Sequence, residues 1–420
     1  MVPAFLNKTD EIGIQNKKTF AETLCDAYHF ELKQDINSIG TRSIFYYKSE
    51  HSLLVSHVLS NRVHILNLVT GKLRWFDHHG ATVRKVLVCN HEIITASWDG
   101  TVCVASFDSL NLRLTLTEKR MGRCPSVVIS PNSEYAYSYS YDSDKSPLQT
   151  ANTVRKWSLA DGKLKETIQL PGYHLSRQRC GSCEVYDNRL YIVSDSGQLQ
   201  IYNCTTGILL KEDFYYDRLQ SLRLIPALNM LAVGGSEGNI YLCDLSGERI
   251  LQKRKVHRHD ITHLHVLPDK PEIMISISFD GNLKILKLPD LEILNSTDVN
   301  RDRLWTVTVV NNLLVTGGEN GDIWIYDIKN LPDVVLKGRL IISNESYAYL
   351  SSESNSFYAS DLSMIQVCPN DDTTATDAQL ADYILNTTCN FSILKDLFCS
   401  ERDVLSKLQI DTKGYYQLTQ

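Results

Sequence analysis

The chain has 420 residues, a formal net charge of −6 and a pI of about 6.1. Those values argue against general nucleic-acid binding, which needs a basic surface. No apolar run reaches the roughly 18 residues of a membrane-spanning helix, and an apolar content of 43% is enough for a packed core.

Eleven cysteines make an odd, scattered set. Several, such as Cys89, Cys103 and Cys243, sit in strand-like runs. Small buried thiols in a reduced, intracellular chain explain that pattern, in the cytoplasm or nucleus. The start, Met1 to Lys8, lacks a basic segment followed by an apolar run, so no secretory signal is expected. The glycosylation-type triplets at Asn203, Asn295 and Asn386 are then chance matches.

In chain order, residues 1–26 read as an N-terminal extension, polar over 1–18. Residues 27–32 alternate like a strand. A first unit follows, through Ser43–Tyr47, Leu53–Val55 and Val63–Leu66, and turns at Thr70-Gly71 into a fourth strand. Gly162, Gly207 and Gly247 mark the same turn later. The clearest unit is Glu319 to Asp327. There Asn320-Gly321 supplies hairpin-turn geometry, with Ile323 and Ile325 on one strand face and Trp324 and Tyr326 on the other.

That turn recurs at Asn61, Gly100, Asn152, Gly197, Gly238, Gly281 and Gly321, at intervals of 39, 52, 45, 41, 43 and 40 residues. Two residues beyond each is Val63, Val102, Val154, Leu199, Ile240, Leu283 or Ile323. Two further on is Ile65, Val104, Lys156, Ile201, Leu242, Ile285 or Ile325, a column broken by Lys156 alone. A repeat of about 40–45 residues with about four strands predicts an all-β propeller over 27–369. The third unit carries an insertion near 141–151 and a strand, Tyr135–Tyr141, with tyrosines on one face.

After the seventh unit, Tyr347–Leu350, Phe357–Ser360 and Met364–Val367 read as three strands of an eighth. Ser363 lies 42 residues past Gly321. Pairing these strands with 27–32 closes a ring and removes both exposed edges. Eight blades are therefore expected, with seven as the alternative. Residues 370–420 read as a helical extension, with helices over 377–385 and 391–408. Ser400–Asp403 forms a loose capping box, and Val404, Leu405 and Leu408 share one face.

Ile93–Val102 and Ile275–Leu283 resemble the WD40 family, and the resemblance extends over about residues 40–370. Tyr326-Asp327, Trp157-Ser158, Tyr202-Asn203 and Cys243-Asp244 stand where that family has Trp-Asp. The resemblance implies a structural hydrogen-bond network in two blades, His79 with Ser97 and Asp99, and His257 with Ser278 and Asp280. The tryptophan partner is replaced by Ala105 and Leu286.

No nucleophile elbow, phosphate-binding glycine loop or metal-binding HExxH helix occurs. Cys180 and Cys183 have redox or half-zinc spacing, yet they open a predicted blade strand and lack a second ligand pair. His257, His259, His263 and His265 cluster, but His263 and His265 alternate along a predicted inner strand. Neither metal nor cofactor is expected. The sharpest charge features are Lys253, Arg254, Lys255 and Arg258, and at the matching place in the second unit Lys119, Arg120 and Arg123. They are expected to form a basic rim. Trp98, Phe279, Arg303 and Trp305 are candidate contact residues at the channel mouth.

The expected function is a non-catalytic scaffold or adaptor that binds other proteins in an intracellular multiprotein complex. One alternative is a propeller that binds anionic ligands, phosphoinositides or a membrane surface through the rim. The family's Phe-Arg-Arg-Gly motif for that role is absent. Another alternative is an enzyme with its site at the central channel.

Overall fold

The computed structural model describes residues 28–32, 40–119, 121–143, 150–169, 180–194, 196–215, 217–299, 303–343, 345–352, 357–360, 365–369, 408–410 and 416–418. Among them the chain is all-β apart from two three-residue 3₁₀ turns, Lys48–Glu50 and Pro226–Leu228. Among the described residues, no helix is long and apolar enough to cross a membrane.

The strands form a β-propeller of seven blades. Their four-stranded antiparallel cores span 41–76, 83–116, 126–169, 180–214, 219–255, 261–298 and 304–342. In each, strand order follows chain order from the central channel outward. The period-2 pattern explains the packing. Third-strand residues such as Val102 and Val104, or Ile323 and Ile325, turn toward the following blade and are buried there. Seven apolar clusters result, one at each junction between neighbouring blades.

The seventh junction decides the blade number. Ile44, Leu53 and Val55 of the first blade share a core with Val315, Ile323 and Ile325 of the seventh. Thr41 donates to the Gly321 carbonyl at 2.7 Å, and Thr306 accepts from the Ile44 N–H at 3.3 Å. The ring is therefore shut at seven, and the expected eighth blade does not form. Tyr347–Ser351 instead pairs with the outer strand Val335–Ile342, and Phe357–Ala359 adds outside it, making a six-stranded sheet. Tyr347 and Tyr349 bury their rings in the closing core, and the Tyr347 hydroxyl donates to the Gly71 carbonyl of the first blade at 2.9 Å. The expected pairing of the N-terminal strand with this unit does occur, Tyr28–Leu32 against Ile365–Pro369. It forms a separate two-stranded sheet and closes nothing.

Two smaller expectations also change. Asn152 is not a turn residue: strands Tyr135–Ser143 and Thr150–Ser158 run long, and Asn152 pairs with Tyr141. The column-breaker Lys156 leaves the apolar core by donating to the Cys204 carbonyl at 2.7 Å, with its ammonium 4.5 Å from the Tyr135 ring centre. The tyrosines Tyr137 and Tyr139 act as core, packed against the fourth blade. The helices expected over 377–385 and 391–407 lie outside the described residues. Leu408, placed on a helix in the sequence reading, begins a short hairpin, Leu408–Ile410 with Tyr416–Leu418.

Candidate functional site

Antiparallel blades sort their loops. Turns between second and third strands lie on one face, here called upper, together with the connections between blades. Gly100, Gly197, Gly238, Gly281 and Gly321 occupy those turns with φ between +80° and +86°. Only glycine adopts that region readily, which accounts for the repeated residue.

Two histidines tie the upper loops to the sheets. His79, in the connection from blade 1 to blade 2, reaches the Thr95 hydroxyl at 2.7 Å through Nε2 and Asp99 at 3.0 Å through Nδ1. His257 makes the same contacts in blade 6, with Ser276 at 2.7 Å and Asp280 at 3.1 Å. The hydroxyl partners are thus Thr95 and Ser276, two residues before the expected Ser97 and Ser278. Ser97 and Ser278 close the loops instead. Each donates to a connection carbonyl, Ala81 at 3.0 Å or His259 at 3.1 Å, and accepts the N–H of Asp99 or Asp280. Residues i and i+2 share a strand face, so the pattern alone did not separate them.

Burial works against charge on His79, but hydrogen bonds to Asp99 and Cys103 outweigh it and raise its pKa to about 9. The geometry agrees, since Thr95 gives its own proton toward the Cys103 carbonyl and offers a lone pair to the ring. Asp99 and Asp280 are held far below the usual carboxylate range. Burial opposes this, and hydrogen bonds from the histidine and backbone N–H groups prevail. Blade 3 keeps a different pair, with Trp157 donating to Ser138 at 2.8 Å. In blade 5 the acid moves to the connection: Asp217 accepts from Asn239 and Ser236, both at 3.1 Å.

Around the channel mouth, three aromatic rings carry arginines. The Trp98 ring carries two, Arg84 at 4.6 Å and Arg123 at 4.8 Å from its centre. Trp305 lies under Arg42 at 5.4 Å, and Phe279 under Arg303 at 5.4 Å. The three rings are partly exposed, as are Arg42 and Arg84, while Arg123 and Arg303 are exposed. The structure thus brings Trp98, Phe279, Arg303 and Trp305 to one face. Arg42 and Arg84 were missed. They occupy the same repeat position as Trp305, the bulged second residue of an inner strand, so the register held that signal.

The basic rim is not one patch. Lys119 and Arg123 lie in the connection from blade 2 to blade 3, and Arg120 is outside the described residues. Lys253, Arg254 and Lys255 form part of the fully exposed outer strand of blade 5, and Arg258 lies in the next connection. Blades 3 and 4 lie between the two groups. Lys253 sits 5.1 Å from the Tyr241 ring centre, and Arg254 donates to the Leu291 carbonyl at 2.9 Å. The Arg258 N–H donates to Asp280 at 2.8 Å.

His263 and His265 lie on the inner strand Ile261–Leu267, and Cys183 is buried with its sulfur 3.5 Å from Ser126. Among the described residues, no three His, Cys, Asp or Glu side chains converge as metal ligands would. Two open clefts lie on the lower face. One of about 550 Å³ between blades 2 and 3 holds the Arg113–Glu92 ion pair, and one of about 410 Å³ between blades 3 and 4 holds Lys156.

No protein-family profile matches the chain. No curated protein matches it either. Among solved structures, the crystal structure of the computationally designed Ika8 protein aligns with a TM-score of 0.57, covering 81% of this chain and 98% of that one at 16% identity. At that identity the likeness speaks for fold alone, and the chain is an all-β propeller of seven blades.

Proposed function

We propose that this protein is a non-catalytic scaffold or adaptor of WD40 type, which holds protein partners on its upper face within an intracellular assembly of the cytoplasm or nucleus. The observation that carries this reading is the set of arginine–aromatic stacks around the channel mouth, at Trp98, Trp305 and Phe279. Arginine and tryptophan dominate binding energy at protein interfaces, and here the stacks hold them in place before a partner arrives. The two histidine–hydroxyl–aspartate networks support the WD40 assignment. They also engage Asp99 and Asp280, the partly buried acids next in sequence to Trp98 and Phe279, in structural hydrogen bonds, which supports a non-catalytic role.

The test is affinity purification of the intact chain from its own cells, beside a Trp98→Ala/Phe279→Ala double variant. A small stoichiometric set of partners, recovered at least about tenfold less with the double variant, is expected from the loss of two such contacts. Equal recovery by both chains, or a wild type that purifies without partners, would refute the reading.

A further inference from the structure

Strand register aligns two columns of inner-strand residues around the central channel. The first is Ser43, Lys85, Ser126, Ser182, Ser221, His263 and Thr306. Five are small hydroxyl residues, and four of these reach the next blade. Ser43 accepts from the Val86 N–H at 3.4 Å, and Thr306 from the Ile44 N–H at 3.3 Å. Ser221 donates to the Ile261 carbonyl at 2.8 Å, and Ser126 lies 3.5 Å from the Cys183 sulfur. Lys85 and His263 break this column. Neither makes a hydrogen bond or ion pair among the described residues.

The second column is Phe45, Leu87, Val128, Glu184, Arg223, His265 and Thr308. It is apolar in the first three blades and polar in the last four. Glu184 has both oxygens engaged, by Arg223 at 3.1 Å and by the Leu224 N–H at 2.9 Å. Arg223 also donates through Nε to the Leu264 carbonyl at 3.1 Å, which leaves other guanidinium N–H groups for the channel.

These charges share one space. Lys85 of blade 2 interacts electrostatically with Arg223 of blade 5, Glu184 of blade 4 and Arg42 of blade 1. His263 of blade 6 interacts with Arg223, Lys85, His265 and Arg42. Blades 2 and 5 have no common wall, so their charges meet across the channel. Arg223 and Arg42 thus bring positive charge around Lys85, and Glu184 brings negative charge. Burial first, and then Arg223, lowers the pKa of Lys85, and His263 is lowered for the same reasons.

We propose that the central channel is a binding site for a phosphate-type oxyanion, held by Lys85 and Arg223 with His263 beside them. Cationic side chains from more than one blade suit an anion. A lysine, a guanidinium with spare N–H groups and an imidazole supply donors from several directions, which suits a tetrahedral anion. The site lies inside the ring and does not depend on partner docking at the upper face.

The test is titration of the intact chain with inorganic phosphate, pyrophosphate and a phosphoserine tripeptide, at ionic strength matched with chloride. Wild type, Lys85→Gln, Lys85→Arg and Lys163→Gln are compared. The expected result is saturable pyrophosphate binding, weaker by at least about tenfold in Lys85→Gln through loss of one charge-assisted hydrogen bond. Lys85→Arg should restore it, and Lys163→Gln, at an exposed turn of blade 3, should leave it unchanged. Lys85→Gln should melt higher than wild type without anion, which confirms that it folds. Binding of pyrophosphate alone assigns the site to a free anion. Binding of the tripeptide as well, with the same dependence on Lys85, extends it to phosphate carried on a chain. Absence of saturable binding, or equal losses in Lys85→Gln and Lys163→Gln, would overturn the proposal.

Discussion

Arg42 of the first blade stacks on Trp305 of the seventh, 5.4 Å from the ring centre. The same ring presses on Gly40, where an added Cβ would lie 2.6 Å from it and where φ is +72°. One tryptophan thus joins the closing seam of the ring to the surface proposed for partners.

Trp305→Ala should destabilise the fold by about 2–4 kcal/mol, near the range for large-to-small aromatic changes. Trp305→Phe should cost under about 1.5 kcal/mol, as a swap that keeps an apolar ring. Gly40→Ala should cost about 1–3 kcal/mol through backbone strain and the clash. Part of that cost should vanish in the Trp305→Ala background, as a double-mutant cycle by urea unfolding would reveal. Strict additivity would mean that the ring and Gly40 are not coupled.

Thr95→Val should lower stability by about 1–3 kcal/mol, because a buried imidazolium N–H loses its acceptor. Ser97→Ala should cost less, about 1 kcal/mol, since a loop hydrogen bond is lost near solvent. Denaturant midpoints for the two variants decide which hydroxyl belongs to the network. The reverse order would restore the register expected from the sequence.

Stability should respond to pH from two sides. His79 is raised to about 9, so its contribution is complete below its ordinary 6.5 and is lost as pH rises through about 9. His79→Gln should remove that alkaline decline in melting temperature. His57 has the opposite sign. Burial first, then the neighbouring His64, lowers it to about 3. The unfolded chain therefore takes up that proton first, and stability falls as pH drops from 6.5 toward 3. His265, lowered to about 4 mainly by burial, acts the same way. His57→Phe should flatten part of the acid decline, and an unchanged acid profile would count against a buried, neutral His57.

Changing Lys253, Arg254 and Lys255 to Glu should leave folding stability within about 1 kcal/mol of wild type, because these side chains lie on an exposed outer strand. Any partner that reads positive charge there should bind less tightly, with a weaker dependence on salt. Melting curves and binding at two salt concentrations check both halves.

The hairpin glycines, the two apolar columns and the tyrosine strand were legible in the sequence because they obey local rules. A turn with positive φ needs glycine, and a strand buried on one face alternates with period 2. The histidines and aspartates of blades 2 and 6 were legible for the same reason, at fixed offsets from those turns. The tertiary structure decided everything that depends on which edges and faces meet. The repeat count pointed to eight units, yet Tyr347–Ser351 found a free edge on the seventh blade while the first blade had already filled the gap. Thr95 replaced Ser97 because two hydroxyls on one face differ only in depth. Lys119 and Lys253 look equivalent in the repeat, but two blades stand between them. Lys85 and Arg223 lie 138 residues apart in the chain, and only closure of the ring sets their charges across one channel.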